Sequence, residues 1–215
     1  MQWNISFGFL FRSRFTLFFF CLLASHHSIT FKKLLKSQFI LDVGCGRGLP
    51  WRILKRLGLN PKIIAVDAFV PYLRKIKELN IYDDRVLAVA NHLPFRKNVF
   101  DSITCFQMLE HLSKKDGTEA LQAMSSLADT VVVTTPVSFV KANIDQENSF
   151  QTHKSGWMPE EMKKIGYEPK GYGWFKISRY ESLAPFLFMI NIILLVVIRR
   201  NPKSAFHMHC VKSAK

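Results

Sequence analysis

The sequence predicts an α/β fold in which a mostly parallel sheet is covered by helices on both faces. Two observations lead to this prediction. Short apolar runs alternate with amphipathic helical patterns along most of the chain, and the first run ends at a glycine-rich turn, Gly44–Gly48. Strands that are joined in sequence by helices form parallel pairs, because a parallel connection needs a long crossover.

The first half of the predicted sheet begins with Phe39–Val43, a short apolar run typical of a buried parallel strand. A helix is expected from Pro50, and Gly58 ends it, because proline favours the start of a helix and glycine its end. Three further elements follow: a strand over Lys62–Val66 closed by Asp67, a helix over Pro71–Leu79, and a strand over Arg85–Val89.

The second half begins with a strand over Asp101–Phe106 and a helix over Asp116–Ala128. Thr130–Thr134 is a dense β-branched run, which is the composition that strands favour, and Pro136 ends it. The remaining predicted elements are a loop over Asn143–Gly156, a helix over Pro159–Ile165, and two late strands over Lys170–Ile177 and Ala205–Lys212.

The composition fits one globular domain with a basic surface. The chain has 215 residues, 48% of them hydrophobic, and a formal net charge of +14. Such a charge favours an anionic partner, either nucleic acid or the anionic face of a membrane, although an ordinary basic surface is the alternative. The four cysteines form no C-x-x-C pair, so they are expected to be free thiols rather than a zinc or redox site.

Two apolar segments suggest contact with a membrane. Residues 1–38, which include the run Phe15–Leu23, are predicted to form a helical extension separate from a domain over 39–215. The second segment, Leu183–Ile198, would reach only about 24 Å as a helix, which is short of a hydrocarbon core of about 30 Å. It is therefore interpreted as an interfacial or re-entrant helix whose neighbouring Arg199, Arg200 and Lys203 face lipid phosphates.

That interpretation predicts a cytoplasmic protein held peripherally on the inner face of a membrane. The alternative is that the two apolar segments pack on each other as an ordinary hydrophobic cap.

The strongest local motif is Leu41–Gly48, in which Asp42 precedes Gly44, Gly46 and Gly48. A glycine-rich turn between a strand and a helix lets the backbone approach a ligand closely. Asp67 lies 21 positions beyond Gly46. An acid about 20 residues on, at the end of the second strand, can bind both hydroxyls of a ribose. A tight strand–helix connection without a ligand is the alternative.

This D-x-G-x-G-x-G turn resembles the cofactor motif of class I S-adenosylmethionine (SAM)-dependent methyltransferases. Leu93-Pro94-Phe95, Phe100-Asp101 and Leu109-Glu110-His111-Leu112 resemble segments of the methyltransferase type 11 group. The resemblance implies SAM as the cofactor and a Rossmann-like fold with an antiparallel last strand, for which Ala205–Lys212 is the candidate.

The expected cofactor-binding residues lie at the carboxyl ends of the predicted strands. They follow from the glycine-rich turn, from Asp67 and from the resemblance. The group commonly has an acidic residue that meets the adenine amino group, and Val89 stands at that position here. Adenine recognition is therefore expected to use Asn91 or backbone groups. The full predicted set is Asp42, Gly44, Gly46, Gly48, Asp67, Asn91 and Gln107, and no metal site is predicted.

Two histidines are candidates for a general base. SAM carries an electrophilic methyl group, so the protein needs a base only when the acceptor must lose a proton. His111 follows the fourth strand at the edge where open α/β sheets bind ligands, and His153 lies in an H-x-S-x-W segment after the fifth strand. The alternatives are that His111 packs its loop and that His153 belongs to a surface loop.

The predicted function is methyl transfer from SAM to a small-molecule or lipid-like acceptor near a membrane. Two other functions stay open at this point. The basic charge favours methylation of RNA, although no recognisable RNA-binding module is present and a nucleic-acid partner is not expected. Val89 leaves room for a non-catalytic scaffold that keeps the fold.

Overall fold

The structure is a computed structural model that describes residues 29–56, 58–141, 148–175 and 200–213. The apolar segments Phe15–Leu23 and Leu183–Ile198, for which membrane contact was predicted, lie outside the described residues. Among the described helices, none is long and apolar enough to cross a membrane.

Seven strands form one sheet in the order β3-β2-β1-β4-β5-β7-β6. The pairs from β3 to β5 are parallel, whereas β7 lies antiparallel between β5 and β6. The predicted fold class and the antiparallel last strand are confirmed. The strands are β1 Phe39–Val43, β2 Lys62–Asp67, β3 Asp84–Leu87, β4 Phe100–Phe106, β5 Ala128–Pro136, β6 Glu168–Phe175 and β7 Ala205–Ser213.

The described helices lie before β1 or between the strands, and they cover both faces of the sheet. Single helical turns occur at Leu109–His111, Ser149–Gln151 and Pro202–Ser204. The α-helices are α1 Ile29–Lys36, α2 Leu49–Arg56, α3 Val70–Lys77, α4 Lys114–Leu127 and α5 Pro159–Lys164.

Alternating side chains of β1 divide the core into two layers. Leu41 and Val43 pack into one cluster with Leu121 and Met124 of α4. Ile40 packs into the other cluster, where α2 contributes Trp51 and Leu54 and α3 contributes Ile76. Successive side chains of a strand point to opposite faces, so the two clusters show that helices cover both faces of the sheet.

Several element boundaries differ from the predicted ones. Helix α4 begins at Lys114 rather than Asp116, because Ser113 is its N-cap and its hydroxyl accepts a hydrogen bond from the backbone N–H of Asp116 at 3.1 Å. Strand β3 ends at Leu87, so Val89 lies in the segment after the strand and not inside it.

Helix α1 falls within residues 1–38, which were predicted to be a separate extension, and it contacts the sheet. The Leu34 side chain is buried in the α2–α3 core layer. The Ser37 hydroxyl, just after α1, lies 2.7 Å from the Ser102 hydroxyl on β4. The end of the predicted extension therefore packs against the domain.

Candidate functional site

A cavity of about 470 Å³ opens at the carboxyl ends of β1, β2 and β4. Strands β2 and β3 lie on one side of β1, whereas β4 and β5 lie on its other side. The order in which strands are added therefore reverses between β1 and β4, which makes this place the topological switch point of the sheet. Open α/β sheets bind ligands at such a point. Of the predicted site residues, Asp42, Gly44, Gly46, Asp67, Gln107 and His111 line the cavity, whereas Gly48, Asn91 and His153 do not.

The glycine-rich turn has the left-handed backbone that its sequence predicts, with φ values of +72° at Gly44 and +54° at Gly46. A Cβ on Gly44 would lie 2.3 Å from Met108 Cγ and 2.7 Å from Met108 Cβ. At Gly46, no described atom lies within 4 Å of the position that a Cβ would take. Gly44 is therefore needed for packing against the β4 edge, whereas Gly46 leaves open space beside the cavity.

We expect Gly44→Ala to destabilise the protein more than Gly46→Ala, by about 1–3 kcal/mol, which is the usual cost of overpacking. Both substitutions strain a left-handed backbone, but only the first one overlaps a neighbouring side chain. Urea denaturation of the two variants measures the difference. Equal losses of stability would show that the contact with Met108 does not constrain the turn.

Asp67, at the end of β2, is hydrogen-bonded to this turn. Its Oδ2 accepts a hydrogen bond from the Gly46 N–H at 2.8 Å, and its Oδ1 accepts one from the Phe69 N–H at 2.8 Å. Burial raises the pKa of its carboxyl above the ordinary value, although both of these bonds favour the ionised form. The Cys45 thiol also lies 3.9 Å from Oδ2, and the Asp67 carboxylate lines the cavity, where its oxygens can accept hydrogen bonds from a ligand.

Asp42 is buried behind the turn and is held by two hydroxyl groups. Tyr82 donates to Oδ2 at 2.6 Å and Thr104 donates to Oδ1 at 2.7 Å, while the Trp51 indole N–H donates to the Thr104 hydroxyl at 3.1 Å. Burial raises the pKa of Asp42 to about 6. No sequence pattern marks Tyr82 or Thr104 as partners of this acid.

Gly48, the third glycine of the motif, makes room for the Tyr82 side chain that donates to Asp42. A Cβ on Gly48, whose φ is +69°, would lie 3.1 Å from the Tyr82 ring. Gly48 therefore lets Tyr82 approach the turn and reach Asp42.

Gln107 and Asn91 differ in their placement. The Gln107 backbone has a φ of +52°, and its N–H donates to the Thr134 carbonyl at 2.9 Å. Its amide nitrogen lies 3.3 Å from the Thr134 hydroxyl, at the edge of the cavity. The Asn91 amide instead donates to Glu119 at 3.3 Å, outside the lining residues, so its role toward adenine stays a prediction.

The two histidines lie side by side at the β4 end of the cavity, with ring centroids 4.8 Å apart. His111 Nδ1 lies 3.4 Å from the Thr152 carbonyl, and His153 Nδ1 lies 2.5 Å from the Val140 carbonyl. Burial, followed by the neighbouring His153, lowers the pKa of His111 to about 4. Its imidazole is therefore neutral near pH 7, and a proton on Nδ1 leaves Nε2 free to accept one.

Glu110, which was not predicted as a site residue, joins the two histidines in a cluster. It is buried, and its Oε2 accepts a hydrogen bond from the Thr135 hydroxyl at 3.1 Å. One possible ligand atom from each of Glu110, His111 and His153 lies within 4.8 Å of the others, so these three residues could hold a cation. The segment after Asn148 brings His153 to this place, because the Lys154 N–H donates to the Glu110 carbonyl at 2.8 Å.

We expect Glu110→Gln to be more stable than the wild type at pH 8, by about 2 kcal/mol or more. Burial raises the pKa of Glu110 from 4.5 to about 7. Between pH 7 and pH 4.5 the folded protein thus holds a proton that the unfolded chain lacks, so the cost of burying the charge is lost progressively as the pH falls over that range. The advantage of the variant should shrink between pH 7 and pH 4.5.

Urea denaturation at pH 5 and pH 8 measures this dependence, and Glu78→Gln, at an exposed position, is the control. The same difference in stability at both pH values would contradict the buried-charge interpretation of Glu110.

The sequence of the residues around this site matches a known protein family. Residues 41–130, which contain the glycine turn, Asp67 and the Glu110–His111 pair, match the family described as a methyltransferase domain. The match covers residues 41–130 and shows that this part of the chain resembles a methyltransferase domain. The resemblance and the cofactor predicted from the sequence are confirmed at the level of this family.

Two curated relatives of the methyltransferase domain are ubiquinone biosynthesis O-methyltransferases. The protein from Xanthomonas euvesicatoria pv. vesicatoria (strain 85-10) is 36% identical over 94 residues, which cover 41% of this chain and 37% of the relative. The protein from Xanthomonas campestris pv. campestris (strain B100) is 35% identical over 94 residues, which again cover 41% of this chain and 37% of the relative. The chain thus matches little more than a third of the length of these relatives.

Solved structures extend the similarity in fold to most of the chain. A SAM-dependent methyltransferase from Archaeoglobus fulgidus superposes with a TM-score of 0.58 at 17% identity, over 90% of this chain and 93% of that one. The plantazolicin methyltransferase BpumL in complex with S-adenosylhomocysteine gives a TM-score of 0.54 at 17% identity, over 90% and 81%. At these identities the similarity supports the fold alone.

Proposed function

We propose that the protein transfers the methyl group of SAM to a hydroxyl oxygen of a small-molecule or lipid-like acceptor. The observation that carries the proposal is that one cavity holds both Asp67 on the glycine turn and the neutral His111. One half of the cavity suits a ribose, and the other half offers a proton acceptor. The names of the two curated relatives support an oxygen atom of a small molecule as the acceptor.

The residues of the cavity fit SAM in size and in chemistry. A cavity of about 470 Å³ falls within the range of about 300–1,000 Å³ that small-molecule sites occupy. The Asp67 carboxylate lines the cavity and can accept hydrogen bonds from ribose hydroxyls, and the open space at Gly46 lets a ligand lie against the backbone. Asp42 contributes indirectly, because its bonds to Tyr82 and Thr104 hold the strand end from which the turn begins.

The chemistry divides between cofactor and protein. Bound SAM supplies an electrophilic methyl group, and the protein must place the acceptor oxygen in line with it. We assign His111 Nε2 as the atom that takes the proton from the acceptor hydroxyl as the new C–O bond forms. The contact between Nδ1 and the Thr152 carbonyl fixes the ring that performs this step.

The acceptor side of the cavity favours an apolar or aromatic molecule. Phe150 lines it and is 45% exposed, and its ring lies 6.5 Å from the Phe69 ring. Met108 and Leu112 line the same cavity next to His111. An exposed aromatic ring at a cavity offers a surface on which a planar acceptor can stack.

Transfer of a labelled methyl group from SAM tests the proposed acceptor class. The purified chain is incubated with a catechol that carries an apolar side chain and, separately, with total RNA. Label in the catechol alone is the expected result. Label in RNA alone would favour the RNA methyltransferase function, and label in neither, with SAM bound, would favour a non-catalytic scaffold.

We also propose that the protein contacts an anionic membrane surface on the cytoplasmic side. The support is the net charge of +14 and the exposed Arg200, which lies two positions after the apolar segment. Lys203 contributes less, because its ammonium already lies 2.8 Å from the Glu160 carboxylate. Co-sedimentation with anionic vesicles at low salt, lost in neutral vesicles, is the expected result. No sedimentation with either vesicle would contradict the membrane contact.

A further inference from the structure

The direction in which a nucleoside cofactor lies in the cavity follows from the sheet order. Asp67 marks the ribose position at the end of β2, which has β1 on one side and β3 on the other. The reacting end must face the half of the cavity that His111 and Lys154 line, beyond β1 and β4. The base must therefore lie on the opposite side, against the segment that follows β3.

That segment presents only aliphatic side chains to the cavity. Ala88, Val89 and Ala90 are its lining residues, and Val89 is 44% exposed. The next residue, Asn91, donates its amide to Glu119 and is not among the lining residues. The exocyclic amino group of an adenine is a hydrogen-bond donor, so recognition by a side chain would need an acceptor, which these three residues lack.

We propose that this chain binds its adenine cofactor without recognising the exocyclic amino group through a side chain, and that Val89 sets this relaxed specificity. The inference rests on the proposed cofactor site. It implies that a cofactor without the 6-amino group binds almost as well as the natural one. Specificity for the nucleoside then comes from Asp67 at the ribose and from the shape of the cavity.

Calorimetric titration with two product analogues tests the proposal. One probe is S-adenosylhomocysteine, and the other is its 6-deamino purine analogue, which lacks only the amino group. The dissociation constants of the wild type for the two probes should agree within about threefold. In Val89→Asp the new carboxylate can accept from the amino group, so this variant should prefer the natural probe by about tenfold or more.

Leu87→Asp is the matched control. Leu87 lies on β3 just before the segment, is 58% exposed and does not line the cavity, so the same change of chemistry there should leave the ratio of the two constants as in the wild type. Thermal unfolding checks that both variants are folded.

A tenfold preference of the wild type for S-adenosylhomocysteine would overturn the relaxed specificity. An unchanged ratio in a folded Val89→Asp variant would overturn the placement of the base beside Val89. Failure of the wild type to bind S-adenosylhomocysteine at all would instead refute the proposed cofactor site, and the inference with it.

Discussion

His111→Gln is expected to lower the rate of methyl transfer to a hydroxyl acceptor by about a hundredfold or more, which is the usual contribution of a general base. Glutamine keeps a similar size and can still bond to the Thr152 carbonyl, but it cannot take up the proton of the acceptor. Binding of S-adenosylhomocysteine should change little, because Asp67 and the glycine turn remain intact. Turnover and calorimetry on the same preparation separate the two effects.

His92→Gln is the control for this substitution, because His92 is exposed and does not line the cavity. It should leave turnover and binding unchanged. A His111→Gln variant with wild-type turnover would remove His111 from the chemistry and leave it as a residue that packs its loop.

Asp67→Ala should weaken S-adenosylhomocysteine binding by about a hundredfold or more. The substitution removes the acceptors for two ribose hydroxyls, and hydrogen bonds to a charged group contribute about 1.5–3 kcal/mol each. It also leaves the Gly46 and Phe69 N–H groups without the partner that positions the turn. Isothermal titration calorimetry measures the change in affinity.

Asp101→Ala is a matched control at the opposite edge of the sheet. Its carboxylate also accepts two backbone N–H groups, from Gln38 at 2.8 Å and from Phe39 at 2.9 Å, but it lies outside the cavity. Both variants therefore lose a carboxylate that accepts hydrogen bonds from two backbone N–H groups, but only Asp67→Ala should bind S-adenosylhomocysteine more weakly. An equal loss of affinity in both would show that the effect of Asp67 is structural.

The part of the site that could be predicted from the sequence depends on short-range spacing. The glycine turn needs left-handed backbone, which glycine adopts readily, and Asp67 follows on the neighbouring strand at a distance that the β-α-β unit fixes. The parallel strands were predictable for a similar reason, since most of the apolar runs before Pro136 are followed by a helical pattern.

The rest depends on contacts between residues that are distant in the sequence. Thr104 and Tyr82 reach Asp42 from different parts of the fold, and each is an ordinary residue in its own segment. His153 meets Glu110 and His111 only because the backbone of its segment bonds to the Glu110 carbonyl. No periodicity or local motif encodes such contacts, so the buried acid of this cluster was not predicted.

The most direct test of the cofactor site is calorimetric titration of S-adenosylhomocysteine into the full-length wild-type chain. Saturable binding with one ligand per chain is the expected result, because the cavity at the switch point brings together Asp67, the open turn at Gly46 and a volume of suitable size. No heat of binding at millimolar ligand, with the protein shown to be folded, would contradict a functional cofactor site in this methyltransferase domain.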